Sequence, residues 1–271
     1  MSDDDIGGLL KNWDYESGEL SVRKIAGSDR RSKIQIRMDL GVMQLEWSGR
    51  PDGSRPHDHS SLLDYYRQRQ RDHDRESGLF TLSREDCWAL GQEAMQFYWR
   101  RISFFELREY CRAEEDARHN LSILDLCSSF ALHEEDRQMA DQYRPFVTAH
   151  RIQARALARL EEEDHDGALR EIRTGIAEVE RLLRDKADPE AVETSSELQF
   201  LKNWEQEVDA NRPRSESEQL SAELSKAVAA QDFERAADLR DQIDSLQGGL
   251  NPSDGSLSPS QSQGDQPPID R

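Results

Sequence analysis

Between Ser83 and Arg212 the sequence reads as one helix after another, and a helical run of that length leaves few architectures open to the chain. Ser83 followed by Asp86 resembles a capping arrangement, with the hydroxyl accepting from an orphan backbone N–H. The first helix is expected over Ser83–Arg101, with Trp88, Leu90, Ala94, Phe97 and Tyr98 as its apolar residues. A second begins near Ser103 and runs to about Leu132, carrying Phe104, Leu107, Tyr110, Cys111, Leu121, Leu124 and Phe130. A third runs from about Asp136 to Glu163 and is expected to bend near Pro145, because proline removes a ladder donor. A fourth runs from about Asp166 to Arg184. Asp188 and Pro189 then read as the N-cap and first position of a fifth helix, which ends before Pro213.

Such a run must close around a core, and composition supplies the material. Five Trp, eight Phe and six Tyr must mostly be buried somewhere, which excludes a wholly disordered chain. At 35% apolar and 34% charged, the sequence is too polar for a membrane protein. No stretch approaches the roughly 18 uninterrupted apolar residues of a spanning helix. The 271 residues carry 55 Asp+Glu against 36 Lys+Arg, a formal net charge of -19. A surface of that sign repels phosphate backbones. The charge is uneven: residues 20–80 carry 12 Lys+Arg against 9 Asp+Glu, and residues 157–210 carry 7 against 16. Direct nucleic-acid contact is therefore not expected of the chain as a whole, and any such contact would fall within residues 20–80. Cys87, Cys111 and Cys127 form no CxxC pair, and an odd number without scaffold spacing reads as reduced thiols. The start, Met1-Ser2-Asp3-Asp4-Asp5, lacks the basic residues and apolar core of a signal peptide, so a cytoplasmic protein is expected.

The region before the helices has a different period. Residues 1–18 are polar and read as a flexible arm, with Trp13 and Tyr15 as anchors. Ile34, Ile36 and Met38 alternate with polar residues, as in a half-buried strand. The parity breaks at Leu40-Gly41, after which Met43, Leu45 and Trp47 alternate. A turn there pairs Met38 with Met43, Ile36 with Leu45 and Ile34 with Trp47, all on one face. A β-bulge in one long strand is the alternative. Leu20–Ala26 adds a further strand through Gly27-Ser28-Asp29. Residues 50–57 are a connector with a strong Asp52-Gly53 turn signal, and a helix follows from Asp58 to about Arg75. The fold class is α+β and mostly α. Residues 19–80 form a small antiparallel sheet plus helix, 81–212 an antiparallel helical body, 214–247 a helical hairpin, and 248–271 a Gly/Ser/Pro/Gln-rich disordered tail.

Two segments resemble known families. Ala156, Ala168 and Gly175 are small residues spaced so that two antiparallel helices can approach closely, with Asp164-His165-Asp166-Gly167 as the turn. The pattern over about 149–182 resembles one tetratricopeptide unit, although Arg155 and Arg159 occupy positions usually Leu and aromatic there; an antiparallel bundle is the other reading. The second segment is more specific. Leu220, Leu224, Ala227 and Val228 form one stripe, and Ala236, Leu239, Ile243 and Leu246 recur at helical spacing on the next. Gln231-Asp232 fits the turn between them, with Asp232 as the N-cap of the second helix, and Phe233 is placed to plug the closed end of the hairpin. The run Asp232-Phe233-Glu234-Arg235-Ala236-Ala237-Asp238-Leu239-Arg240-Asp241 closely resembles the UVR motif shared by the excision-repair proteins UvrB and UvrC. That motif also occurs in McsA-type stress regulators and Clp-protease-associated proteins.

The resemblance implies a docking element rather than a reaction. Two helices of about four turns bury little surface alone, so a partner must cover the rest; a second copy, giving a homodimer, is one such partner. Leu220, Leu224, Phe233, Ala236, Leu239, Arg240, Ile243 and Leu246 are the residues expected to shape the docking surface and the hairpin core. A UVR-containing, UvrB/UvrC-like repair protein, a stress kinase or a Clp protease would be a partner of the kind the resemblance implies. No phosphate-binding G-x-x-x-x-G-K-[ST] segment and no paired CxxC zinc motif accompanies it. Elsewhere His57-Asp58-His59 reads as a solvated polar loop rather than a metal site, with His73 and Asp74 too far along the chain to complete one. The cysteines read as buried small hydrophobes. Glu161-Glu162-Glu163-Asp164 reads as a solvated helix end. Arg67, Arg69, Arg71 and Arg75, interleaved with acids, read as an exposed salt-bridged face. A non-catalytic adaptor without metal or cofactor is the expectation.

Overall fold

A computed structural model describes residues 6–11, 13–75, 79–185, 190–214 and 216–248. The chain divides into two compact units, Met1–Arg212 and Pro213–Arg271. The expected tail, and the expected Asp188-Pro189 cap, lie outside the described residues.

The first unit opens with a short helix α1 (Gly7–Leu10) and a three-stranded antiparallel meander, β1 (Ser21–Ala26), β2 (Ser32–Met38) and β3 (Gly41–Glu46). The hairpin reading is right and its register is two residues off. Met38 pairs with Gly41, Ile36 with Met43 and Ile34 with Leu45, across a two-residue turn at Asp39-Leu40. A shift of two preserves which residues share a face, so alternation alone could not separate the two registers. The tighter turn is held from outside: Tyr15 Oη donates to Asp39 Oδ1 at 2.7 Å and Ser17 Oγ donates to the same oxygen at 2.9 Å. Trp13 is tied too, with Nε1 donating to Ser21 Oγ at 2.8 Å and the Arg23 guanidinium 3.8 Å from the ring. Ile34, Ile36 and Leu45 are buried against Phe104, Ala113 and Ala154, so the helical body covers the sheet's apolar face.

A 3-10 turn (Pro56–Asp58) leads to α2 (Leu62–Arg75), which begins later than the expected Asp58. Ser61 Oγ accepts from Asp64 N at 3.0 Å at its start. Then follow α3 (Arg84–Glu106), α4 (Tyr110–Phe130), α5 (Glu134–Glu161), α6 (His165–Arg184), a short α7 (Ala191–Thr194) and α8 (Ser196–Asn211). The capping box before α3 is present: Ser83 Oγ accepts from Asp86 N, and the Asp86 carboxylate accepts from Ser83 N at 2.9 Å. The long helix of the last pair starts from a Ser195 cap, whose Oγ accepts from Leu198 N at 3.2 Å.

Cross-helix bonds show successive helices to be antiparallel. Along α3 and α4 the partners are Arg100 with Asp116 and Ala94 with Asn120. Along α4 and α5, Ser128 bonds Asp141 while Glu114 lies 3.8 Å from Arg155. Along α5 and α6, Arg151 bonds Glu178 at 2.6 Å and Arg155 bonds Glu171 at 2.8 Å. The small residues of this last pair act as expected. Ala156 and Ala168 are buried, and a Cβ on Gly175 would lie 2.5–2.6 Å from three carbons of Ile152. α5 runs through the buried Pro145 as one helix.

Three helix ends close in one way. α3 does not stop at Arg101 but runs to Glu106, with Leu107 as its C-cap. There Glu109 N donates to Phe104 O at 2.8 Å and Arg108 N to Phe105 O at 3.1 Å, the paired bonds of a Schellman end. The same pair closes α5 (Asp164 N to Arg159 O, Glu163 N to Leu160 O), so the turn is Glu162–Asp164 and His165–Gly167 already belong to α6. It recurs after Ala229 in the second unit (Asp232 N to Ala227 O, Gln231 N to Val228 O). In each case the left-handed residue is not glycine: Arg108 at φ 58°, Glu163 at φ 61° and Gln231 at φ 60°. That conformation costs an L-residue about 1–2 kcal/mol, which glycine avoids. Glu163→Gly is therefore expected to stabilise the chain by about 1 kcal/mol after the entropy glycine adds to the unfolded state. A higher urea midpoint with an unchanged slope would confirm it.

Candidate protein-docking site

The second unit is a helix pair, α9 (Glu216–Ala229) and α10 (Phe233–Gly248). Asp232 Oδ1 accepts from Arg235 N at 3.2 Å, so the expected N-cap is in place. The core between the helices is small. Ala227, Ala236 and Leu239 are buried, with Leu220 and Leu224 packed against them. Alanines at two of these positions let the helices come together, and Leu239 is the one large side chain they enclose.

Phe233 does not plug the closed end. It is 70% exposed. The Schellman bonds fold residues 230–232 onto the last turn of α9, and Ala227 and Ala236 fill the space beneath, so no slot remains for a ring. Val228 likewise leaves the facing stripe and is exposed, because Leu220, Leu224 and Ala227 at intervals of four and three already define it. Ile243 is half-buried, and Arg240 and Leu246 are exposed. Leu246 borders a shallow depression at the open end with Leu220, Glu216, Asp241, Gln242 and Ser245. Of the eight residues singled out in the sequence, the structure thus sets Ala236, Leu239, Leu220 and Leu224 in the hairpin's own core. Phe233, Arg240 and Leu246 face outward.

The other sequence candidates resolve into local structure. His57 stacks on Tyr65 at 4.0 Å, and His59 Nδ1 lies 2.6 Å from the His57 carbonyl oxygen. Among the described residues no cluster of three or more His, Cys, Asp or Glu could hold a metal ion. Cys127 is buried and Cys87 half-buried beside it, whereas Cys111 is exposed, contrary to a uniform reading of the cysteines as buried. Contact with Cys87 and burial push the Cys127 thiol well above its ordinary value. The basic residues of 20–80 are largely engaged within the protein. Lys33 pairs with Glu46 and Asp29, Lys24 with Glu109, and Arg50 with Glu93 and Asp52. Arg69 lies 5.7 Å from the Tyr65 and Tyr66 ring centroids, and Arg75 3.7 Å from Asp72.

Two buried charge clusters brace the first unit. Glu93 is fully buried on α3 and accepts from Leu62 N at 2.7 Å, Leu63 N at 3.2 Å and Arg50 Nε at 2.9 Å, with His119 Nε2 at 3.0 Å. It caps α2 from another helix. Burial alone would raise its carboxyl, but the bonds from His119 and the two amides outweigh it and hold the group below its ordinary value. Arg100, also on α3, grips Asp116 with both ends of its fork (2.9 and 2.7 Å) and donates from Nη1 to Gly49 O at 2.7 Å. Burial raises the Asp116 carboxyl against the pull of Arg100.

One feature was missed in the sequence. α3, α4 and α5 border a cleft of about 1050 Å³. Trp88, expected in the core, stands on its rim at 68% exposure, with Met95, Met139 and Tyr143 also exposed there. The signal lay in the spacing: Trp88, Gly91 and Met95 form a second stripe on α3, off the Leu90, Phe97, Phe104 line that is buried. Among the lining residues is Arg101, which is fully buried. Its Nε and Nη1 have no hydrogen-bond partner, and burial lowers its pKa to about 10.

Residues 215–248 match the model of the family described as the UvrB/uvrC motif. No curated protein and no solved structure matches the chain. Among the described residues no helix is long and apolar enough to cross a membrane.

Proposed function

We propose that this chain is a non-catalytic cytoplasmic adaptor that docks on another protein through the hairpin of residues 216–248. The observation that carries the reading is the hairpin's leftover surface. Its own packing uses Ala227, Ala236 and Leu239, and it leaves Phe233 and Val228 exposed at one end and Leu246 at the other. An exposed aromatic flanked by an aliphatic residue is the kind of anchor on which binding energy concentrates. The match to the UvrB/uvrC motif supports the same assignment. A protein bearing a related hairpin, of the repair or the protein quality-control kind, is the expected partner. The ion pairs that occupy Lys24, Lys33 and Arg50 favour a protein partner over nucleic acid.

Two substitutions separate docking from folding. Phe233→Ser removes an exposed anchor and is expected to cut partner capture about tenfold or more while leaving the helical circular-dichroism signal unchanged. Leu239→Asp places a charge in the hairpin core and is expected to abolish capture by unfolding the pair. Undiminished capture by the Phe233→Ser protein would sink the proposed surface.

A further inference from the structure

We propose that the α3–α4–α5 cleft binds a small amphipathic monocarboxylate, its carboxylate held by Arg101 and its apolar body lying along Trp88, Met95, Met139 and Tyr143. The starting observation is a buried cation with two of its three guanidinium nitrogens lacking a hydrogen-bond partner. Arg101 Nε and Nη1 are enclosed and unbonded, a costly state for a charged group unless something compensates it. The nearest acid does not serve, because both Asp116 oxygens are taken by Arg100. Two guanidiniums and one carboxylate leave this buried cluster with one positive charge in excess. A single monoanion matches that charge, whereas a dianionic phosphate would set a surplus negative charge beside Asp116.

The rest of the cleft suits an apolar chain. α3 rises roughly 25 Å between Arg84 and Arg101, and the wall between them is Trp88, Gly91, Met95 and Tyr98, faced by Met139 and Tyr143. The far end is net acidic, with one guanidinium against two carboxylates: Arg84 bonds Glu135 at 2.6 Å and lies 3.7 Å from Asp136. An anionic head is thus favoured at the Arg101 end only. Tyr98 and Phe146 border the cleft, with their ring centroids 5.4 and 6.0 Å from the Arg101 guanidinium carbon. Both are half-buried, so a carboxylate that reaches the guanidinium must displace one of these rings. Large mostly apolar clefts with a few convergent polar groups are the usual form of small-molecule sites.

Calorimetric titration of the full chain with decanoate, and with decanol as its neutral counterpart, tests this. Decanoate is expected to bind about tenfold or more tightly than decanol, as a charge-assisted bond to a buried guanidinium requires. Arg101→Met should erase that preference and still fold, since an apolar side chain replaces an uncompensated charge. Gly91→Leu is the second variant. A Cβ at Gly91 meets nothing within 4 Å, so the leucine extends into the cleft without strain and should abolish binding of both ligands. Equal binding of decanoate by the wild type and Arg101→Met would overturn the proposal, as would no preference over decanol or no binding at all. A dimer that Gly91→Leu dissociates in sedimentation would also overturn it, because a second copy would then fill the cleft.

Discussion

Asp116→Ala is expected to cost about 3–5 kcal/mol of stability, the usual penalty for stranding a buried charge. The substitution removes both oxygens that the Arg100 fork grips and leaves two guanidiniums, Arg100 and Arg101, buried in one cluster without an acid. Arg100 also bonds the carbonyls of Glu46 and Gly49, so its displacement loosens the connection between the sheet and α3. The loss should appear as a lower urea midpoint followed by circular dichroism. Asp125→Ala is the matched control. Asp125 is exposed, and its partner Arg144 keeps Asp141 as a second acid, so the loss is expected to be about 1 kcal/mol or less. If the two substitutions cost the same, the buried cluster does not brace the fold.

Glu93→Ala is the second large effect, again about 3–5 kcal/mol. It strands the amides of Leu62 and Leu63 at the start of α2, and removes partners of Arg50 and His119. A drop in melting temperature on the order of 10 °C is expected. The same carboxylate sets a pH window. Its folded value lies below its unfolded value of about 4.3. Its contribution is therefore full above that pH and is lost as pH falls through the folded value. Wild-type stability should decline below about pH 4.3 more steeply than that of Glu93→Ala. Parallel profiles would show that Glu93 is not the linked group.

The parts of this structure that were legible in the sequence rest on local physical signals. Alternation at Ile34, Ile36 and Met38 located the strand, Ser83 and Asp86 located a helix start, and the run from Asp232 to Asp241 located the hairpin. What was illegible has equally local reasons. Helix ends at Arg108, Glu163 and Gln231 carry no glycine; the first is misplaced by five residues and the second by two, whereas the turn at Gln231-Asp232 is legible from the Asp232 cap. The sheet register differs by two, a shift invisible to alternation. Glu93 and Asp116 look like ordinary solvated acids on a helix, and only their tertiary partners, Arg50 and Arg100, make them interior groups. Phe233 was read as the plug of the closed end because it directly follows the turn, and Trp88 as buried because aromatic residues carry much of the apolar surface a core needs. A tight backbone turn in one case, and a cleft between helices in the other, leave them outside.

Docking through the hairpin is tested most directly by comparing what the full chain and a chain ending at Arg212 capture from native lysate. Met1–Arg212 forms its own compact unit, so the shorter chain retains the sheet and the helical body. If the hairpin is the docking element, the partners of the full chain are lost on truncation, and their identity distinguishes repair from protein quality control. If both chains capture the same partners, the hairpin is not where this protein binds.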